Sequence, residues 1–188
     1  MSPELPLEIW KDRLQNEIEN LKNLEVIEED SILREKNSME MMITIKALGF
    51  ALKEDSEGLD MLPVNDHRVF IKINRSFPYP GGIDFAWNSN IFHPNIHPLE
   101  LPSGEDGTGY ICLNLLKKWS RLTDLETTIK ALKLLVENPN PDDPLNYELC
   151  LEAAKFFKIN TMEDLRSQFG IEEKQEKEDT DDIIIIDD

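Results

Sequence analysis

One cysteine in this chain stands where a thiol could react. Cys112 lies in Tyr110-Ile111-Cys112-Leu113-Asn114-Leu115-Leu116, after a strand pattern has stopped and before the next helix begins. Reactive groups collect in such connecting segments, which a rigid scaffold positions. Upstream, Phe92-His93-Pro94-Asn95-Ile96 supplies an imidazole and an amide; downstream, Asn140-Pro141-Asp142-Asp143-Pro144-Leu145 supplies two carboxylates. The chemistry open to this set is acyl transfer through a thiolate. An unperturbed cysteine has a pKa of about 8.5, so little of it is ionised at neutral pH, yet that fraction is strongly nucleophilic without a dedicated base. A thioester formed there reacts with amines. A lysine, with an ordinary pKa of about 10.4, needs help to lose its proton.

Blander and rival readings exist for each residue. Free cysteine is among the most buried residue types, and Cys150, in a helical pattern with Leu149, Leu151, Ala153 and Phe156, is read as a core thiol. Asn95 could simply bond neighbouring backbone in a turn, and Asp143 could serve the turn beside Pro144. His93, His97 and Cys112 could form part of a zinc site, but Pro94 lies between the histidines and no Cys-x-x-Cys partner exists. No metal is expected, and His93 is expected to pack and bond locally. A cysteine protease would need one of these histidines beside Cys112 in space. The glycine-rich stretch before Tyr110 lacks the Gly-Lys-Ser/Thr ending of a phosphate loop and carries Glu105 and Asp106.

The elements that must hold these groups follow from periodicity. Leu7, Trp10, Leu14, Ile18, Leu21 and Leu24 mark one face of an opening helix. The period then becomes two: Met39, Met41, Ile43, Ile45 and Ala47 form one apolar row, and Val69, Ile71 and Ile73 another. A weaker strand is predicted over Val26 to Leu33, and a short last one carries Ile83, Phe85 and Trp87. Strands in succession with no helix between them imply an antiparallel meander. Thr123-Asp124-Leu125-Glu126 reads as a capping box opening a helix along Leu125, Ile129, Leu132 and Val136, which must stop at Asn138-Pro139. Helices over about 146–158 and 161–169 follow, the second closing near Gly170.

Composition narrows the partners. The chain has 188 residues, 38 acidic and 20 basic, for a net charge of −18. Such a charge repels phosphate backbones and anionic lipid alike, so neither nucleic acid nor membrane is an expected partner. The longest aliphatic run is Ile183 to Ile186, far short of a membrane span. Two cysteines and no secretory leader pattern point to a reducing, cytoplasmic setting, and also a nuclear one if the source is eukaryotic. The length suits one domain, 1–170, followed by a tail, 171–188, too charged to pack. The tail from Glu172 carries nine acids and two lysines, which leaves −11 on the rest of the chain.

The order of helix, four strands, His-Pro-Asn segment, cysteine, helix, proline-rich loop and helices resembles the ubiquitin-conjugating enzyme family over roughly residues 5 to 170. The resemblance rests on Tyr79-Pro80, His93-Pro94-Asn95, Ile111-Cys112-Leu113-Asn114, Trp119-Ser120 and Asn140-Pro141-Asp142-Asp143-Pro144-Leu145. It implies an α+β ubiquitin-conjugating fold: a four-stranded antiparallel meander sheet packed with an N-terminal, a central and C-terminal helices. By that likeness Cys112 receives ubiquitin or a ubiquitin-like protein from an activating enzyme as a thioester and passes it to a substrate lysine or a ligase. Asn95 steadies the active-site loop and the oxyanion, and Asp143 lies near the incoming amine. Asn114, where many relatives carry Asp, together with Leu145 and His93, would shape the gate to the site. The resemblance implies a monomer with no bound cofactor, ATP being consumed by the activating enzyme, and a RING-type ligase among its partners. A non-catalytic variant of the same fold, acting as a binding scaffold, is the rival; such variants typically lack the cysteine.

Three features depart from the family pattern. The interval from Ile96 to Ile111 is about nine residues longer than usual and is read as a flexible surface loop whose acids could select a basic context around the target lysine. Gly81-Gly82 and Arg121-Leu122 replace prolines in the loops that usually meet a ligase, and the first helix is net acidic where the family often presents basic charge to its activating enzyme. Ile183, Ile184, Ile185 and Ile186, flanked by acids, resemble a SUMO-interacting motif that could add a strand to a ubiquitin-like protein.

Overall fold

The computed structural model describes residues 3–55, 58–112 and 124–171. Helix α1 spans Leu7–Asn23 and buries Trp10, Leu14, Ile18 and Leu21, the stripe that its spacing marks out. A four-stranded sheet follows in the order β1 (Leu33–Arg34), β2 (Ser38–Asp55), β3 (Gly58–Asn74) and β4 (Ile83–Trp87), every neighbour antiparallel. This is the expected meander. Helices α2 (Leu125–Glu137), α3 (Glu148–Phe157) and α4 (Met162–Gln168) complete the described chain. Among the described residues, no helix is long and apolar enough to cross a membrane.

The alternating rows fix the sheet's register. Met41 pairs with Ile71 and Met39 with Ile73, and all four are buried in the core with Ile43, Ile45, Val69 and Trp87. The opposite face is ionic: Lys72 reaches Glu40 at 2.6 Å, and Arg68 grips both carboxylate oxygens of Glu28, at 2.9 and 3.0 Å. Such exposed pairs contribute little to stability but favour one face for water.

Two parts of the sheet differ from the sequence expectation. Val26 to Leu33 is not a strand throughout. Ile27 makes a single bridge to Ile43, then Glu29–Ser31 tightens into a 3-10 turn in which the Ser31 hydroxyl binds the Glu28 carbonyl and accepts the Met42 amide. Polar side chains of this kind compete with the ladder for backbone partners. Conversely, β2 and β3 run on far past the predicted rows as a long hairpin, with Phe50 opposite Pro63 and Leu52 opposite Met61. The register shifts between Lys46 and Gly49, and a Cβ at Gly49 would press on the His67 ring and Val136 at 3.0 to 3.1 Å. Glycine therefore lets the sheet bend closely over α2. Beyond the bulge, Phe50 joins a second cluster with Phe92, Ala153, Phe157 and Leu165, so the extension rests on α3 and α4.

Helix α2 is anchored from two directions. Its N-cap is Asp124, whose Oδ1 accepts from the Thr127 amide at 2.6 Å; Thr123 lies outside the described residues. From α1, the buried Glu17 accepts the Leu125 amide at 2.9 Å and also binds Arg13 at 3.3 Å. Burial raises the Glu17 carboxyl above its ordinary pKa, and the bonds from Leu125 and Arg13 oppose that rise. Glu17→Ala is expected to leave the Leu125 amide unpaired inside the protein and to lower stability by about 2 kcal/mol. Glu17→Gln, which still offers an oxygen acceptor, should recover most of the loss in a thermal melt.

Candidate active site

The site is assembled on a short antiparallel ladder. Ile96 bridges Ile111, the His97 amide donates to the Tyr110 carbonyl at 2.8 Å, and the Cys112 amide donates to the Asn95 carbonyl at 2.8 Å. Cys112 is thus fixed to the residue that follows Pro94. The residue as a whole is 7% exposed.

Asn95 is wholly buried, and its amide clamps the proline-rich loop. Nδ2 donates to the Asn140 carbonyl at 3.0 Å and to the Asp143 carbonyl at 2.9 Å, while Oδ1 accepts the Asn140 amide at 2.8 Å. The Leu145 amide adds a bond to the Pro94 carbonyl at 2.9 Å. Segment 139–145 follows Asn138, the C-cap of α2, and its prolines bar a helix. Asn95 supplies the partners that its backbone cannot find locally. The turn-residue reading of Asn95 is corrected to this extent: its partners lie 45 and 48 residues away, not in its own turn. Both amide hydrogens are engaged in this clamp. Asp143, whose carbonyl is held, leaves its carboxylate exposed to solvent.

His93 locks the segment from below. Its Nδ1 accepts the Asn95 amide at 3.1 Å, so the neutral ring carries its proton on Nε2, which donates to the Leu135 carbonyl of α2 at 3.0 Å. Burial pushes the ring's pKa down to about 3. With both nitrogens engaged, His93 has no free position from which to act as a base on Cys112, which removes it from the protease reading. Among the described residues, no group of three His, Cys, Asp or Glu side chains could hold a metal ion.

The second cysteine behaves differently. Cys150 on α3 is completely buried, its thiol bonds the Ile96 carbonyl at 3.3 Å, and burial pushes its pKa up to about 12. It is a structural hook behind the ladder. Sequence reasoning placed Cys150 in the core but missed that bond, and it missed Asn140 as the partner of Asn95. It also missed Tyr147, which stacks on His97 with ring centroids 4.0 Å apart. The repeated Asn-Pro of Asn138-Pro139-Asn140-Pro141 was the available signal for Asn140: a loop that cannot bond itself needs an outside clamp.

The long interval before Cys112 is corrected from a flexible loop to a docked hairpin. The Leu99 amide binds the Trp87 carbonyl at 2.8 Å, and Trp87 in turn donates to the Gly109 carbonyl at 2.9 Å, so the insertion extends the end of β4. Glu100 then bridges Asp106, and Gly104 turns the tip with a φ of +80°. A Cβ at Gly107 would overlap the Pro98 carbonyl, so only glycine fits this crossing. Asn114, Trp119-Ser120, Arg121-Leu122 and Ile183, Ile184, Ile185 and Ile186 lie outside the described residues.

A four-stranded meander with flanking helices, a cysteine tied to an asparagine and a clamped proline-rich loop together define an α+β thiol site of one known kind. The family model for ubiquitin-conjugating enzyme matches residues 65–158, half of the chain. The chain belongs to the ubiquitin-conjugating enzyme family. It is similar to ubiquitin-conjugating enzyme E2 N of Drosophila melanogaster, 29% identical over 138 residues that cover 65% of this chain and 87% of that protein. It is also similar to the NEDD8-conjugating enzyme Ubc12 of Dictyostelium discoideum, 35% identical over 83 residues covering 42% of this chain and 32% of that protein. Among solved structures, the E2 domain of a Toxoplasma gondii ubiquitin-conjugating enzyme superposes with a TM-score of 0.51 at 24% identity, covering 86% of this chain and 93% of that one, a likeness of fold.

Proposed function

We propose that Cys112 accepts the C-terminal carboxyl of ubiquitin or a ubiquitin-like protein from an activating enzyme, as a thioester, and passes it to a lysine or to a ligase. The observation that carries this reading is the tie between Cys112 and Asn95, whose side chain in turn holds Asp143. The Cys112 thiolate attacks the carboxyl carbon held as a thioester on the activating enzyme, that carbon–sulfur bond breaks, the enzyme's own thiolate leaves, and the new thioester forms. A lysine amine then attacks the same carbonyl carbon, the carbon–sulfur bond breaks, and the thiolate is regenerated. Asp143 orients the lysine and takes part in its deprotonation, while Asn95 keeps that loop at the right distance from sulfur. A RING-type ligase is a further partner on this reading, and the compartment is cytoplasmic.

The test is incubation with activating enzyme, ATP and a ubiquitin-like protein. A thiol-sensitive adduct is expected on the wild type and on Cys150→Ser, and none on Cys112→Ala. Asp143→Asn should still load but discharge to free lysine about tenfold more slowly. No adduct with any of several ubiquitin-like proteins and their activating enzymes would favour a scaffold instead.

A further inference from the structure

The insertion does more than lengthen a loop. Its hairpin, the outer end of β2 and β3, and the start of α3 enclose a cleft of about 430 Å³. Leu52, Leu59, Leu101 and Leu149 give it apolar walls, and Glu54, Glu105, Glu148 and Glu152 are all exposed at its sides. No lysine or arginine lines it, and none of the four glutamates has an ion-pair partner among the described residues. The cleft is therefore a concentrated negative field over an apolar surface.

A second observation is a hydrogen-bond donor left available in the same place. His97 lines the cleft and is only 7% exposed. Its Nδ1 accepts from the Thr108 amide at 3.2 Å and meets the Thr108 hydroxyl at 2.8 Å. Burial lowers the ring's pKa below the ordinary histidine value, so at neutral pH it is uncharged and its proton sits on Nε2. That N–H makes no hydrogen bond to protein among the described residues, so it is free to donate to a ligand or to water. It is a donor suited to a peptide carbonyl. The cleft also adjoins the nucleophile's own ladder, because the His97 amide binds Tyr110, two residues before Cys112, and Tyr147 stacks on the His97 ring.

We propose that this cleft binds an extended segment bearing lysines or arginines alternating with apolar residues, supplied by the protein that receives the modifier. Apolar side chains enter against Leu52 and Leu149, basic ones meet the glutamates, and a backbone carbonyl takes the His97 Nε2–H. Its role in transfer rests on the thioester reading of Cys112; its binding does not.

The experiment titrates the full chain with an acetylated, amidated peptide of alternating lysine and leucine, followed by amide NMR. Shifts are expected at 52–54, 99–105 and 147–152, with affinity falling as salt rises. Glu105→Lys combined with Glu152→Lys should weaken binding about tenfold, and Asp30→Lys, on the far edge of the sheet, should leave it unchanged. Both altered glutamates are exposed, and the variant's spectrum checks that it is folded. In discharge assays the double variant should transfer to this peptide about tenfold more slowly while loading, and reacting with free lysine, as the wild type does. Equal binding by wild type and double variant, or shifts confined to other surfaces, would overturn the proposal. Binding in the cleft without any adduct on Cys112 would support the cleft and refute the thioester reading alone.

Discussion

Asn95→Ala is expected to lower stability by about 3 kcal/mol and to slow lysine discharge far more than loading. The substitution strands three partly buried backbone groups at once: the carbonyls of Asn140 and Asp143 and the amide of Asn140. Each unpaired buried group costs roughly 1–3 kcal/mol, reduced where the loop can relax outward to water. In a chain of this size that corresponds to a melting point lower by about 6–12 °C. Asn95→Asp should do no better, since a carboxylate has nothing to donate to two carbonyls. On the thioester reading, loading needs only the sulfur, and Cys112 is held through the Asn95 backbone, which the substitution leaves in place. On the same reading discharge depends on where Asp143 stands, and misplacing a group by about 1 Å can cost 10²-fold in rate. Amide hydrogen exchange separates the clamp from a direct oxyanion contact. If the clamp matters, 138–145 loses protection in step with the loss of discharge; unchanged protection with lost discharge would count against it.

How much of this was legible in the sequence follows the range of each interaction. The capping box Thr161/Asp164 that opens α4 is written within four residues and forms as written. The alternating rows of β2 and β3 are also local signals, and Met41, Ile43, Val69 and Ile71 turn inward as a pair of facing strands should. The outer hairpin was hidden because Gly49 and Pro63 interrupt its pattern. Pro63 is tolerated because β3 pairs with β4 only at Val69 to Ile73, so further out it is an edge strand. Its apolar residues answer to α3 and α4, which lie some 100 residues later in the chain. The site shows the same division. The residue types around Cys112 were readable, whereas the bonds from Asn95 to Asn140 and Asp143, and from Cys150 to Ile96, are set by tertiary folding alone.

Mild acid should destabilise the protein, through histidines held neutral inside it. His93, with its pKa pushed down to about 3, is the main contributor. His67, completely buried with Nε2 on the Ala47 carbonyl, is shifted in the same direction by burial, and so is His97. A group whose folded pKa lies below its unfolded value binds protons more weakly when folded. Stability is then greatest above the ordinary histidine pKa of 6.5 and declines as pH falls from there toward the folded value. For His93 alone the loss between pH 6.5 and pH 5 is about 2 kcal/mol, at roughly 1.4 kcal/mol per pH unit. Glu17 works in the opposite sense, because burial raises its folded pKa above 4.5 and acid relieves that cost. Falling net charge works with it. Glu17's relief grows as pH falls through its raised folded value, so it offsets part of the histidine loss toward the acid end, where one carboxyl is set against three histidines. Denaturant midpoints at pH 7, 6 and 5 should therefore fall steadily. In His93→Gln the slope between pH 6.5 and 5 should drop by close to one proton's worth, whatever the variant's stability at pH 7. An unchanged slope would mean that His93 is not the buried, neutral strut that its bonds to Leu135 and Asn95 describe.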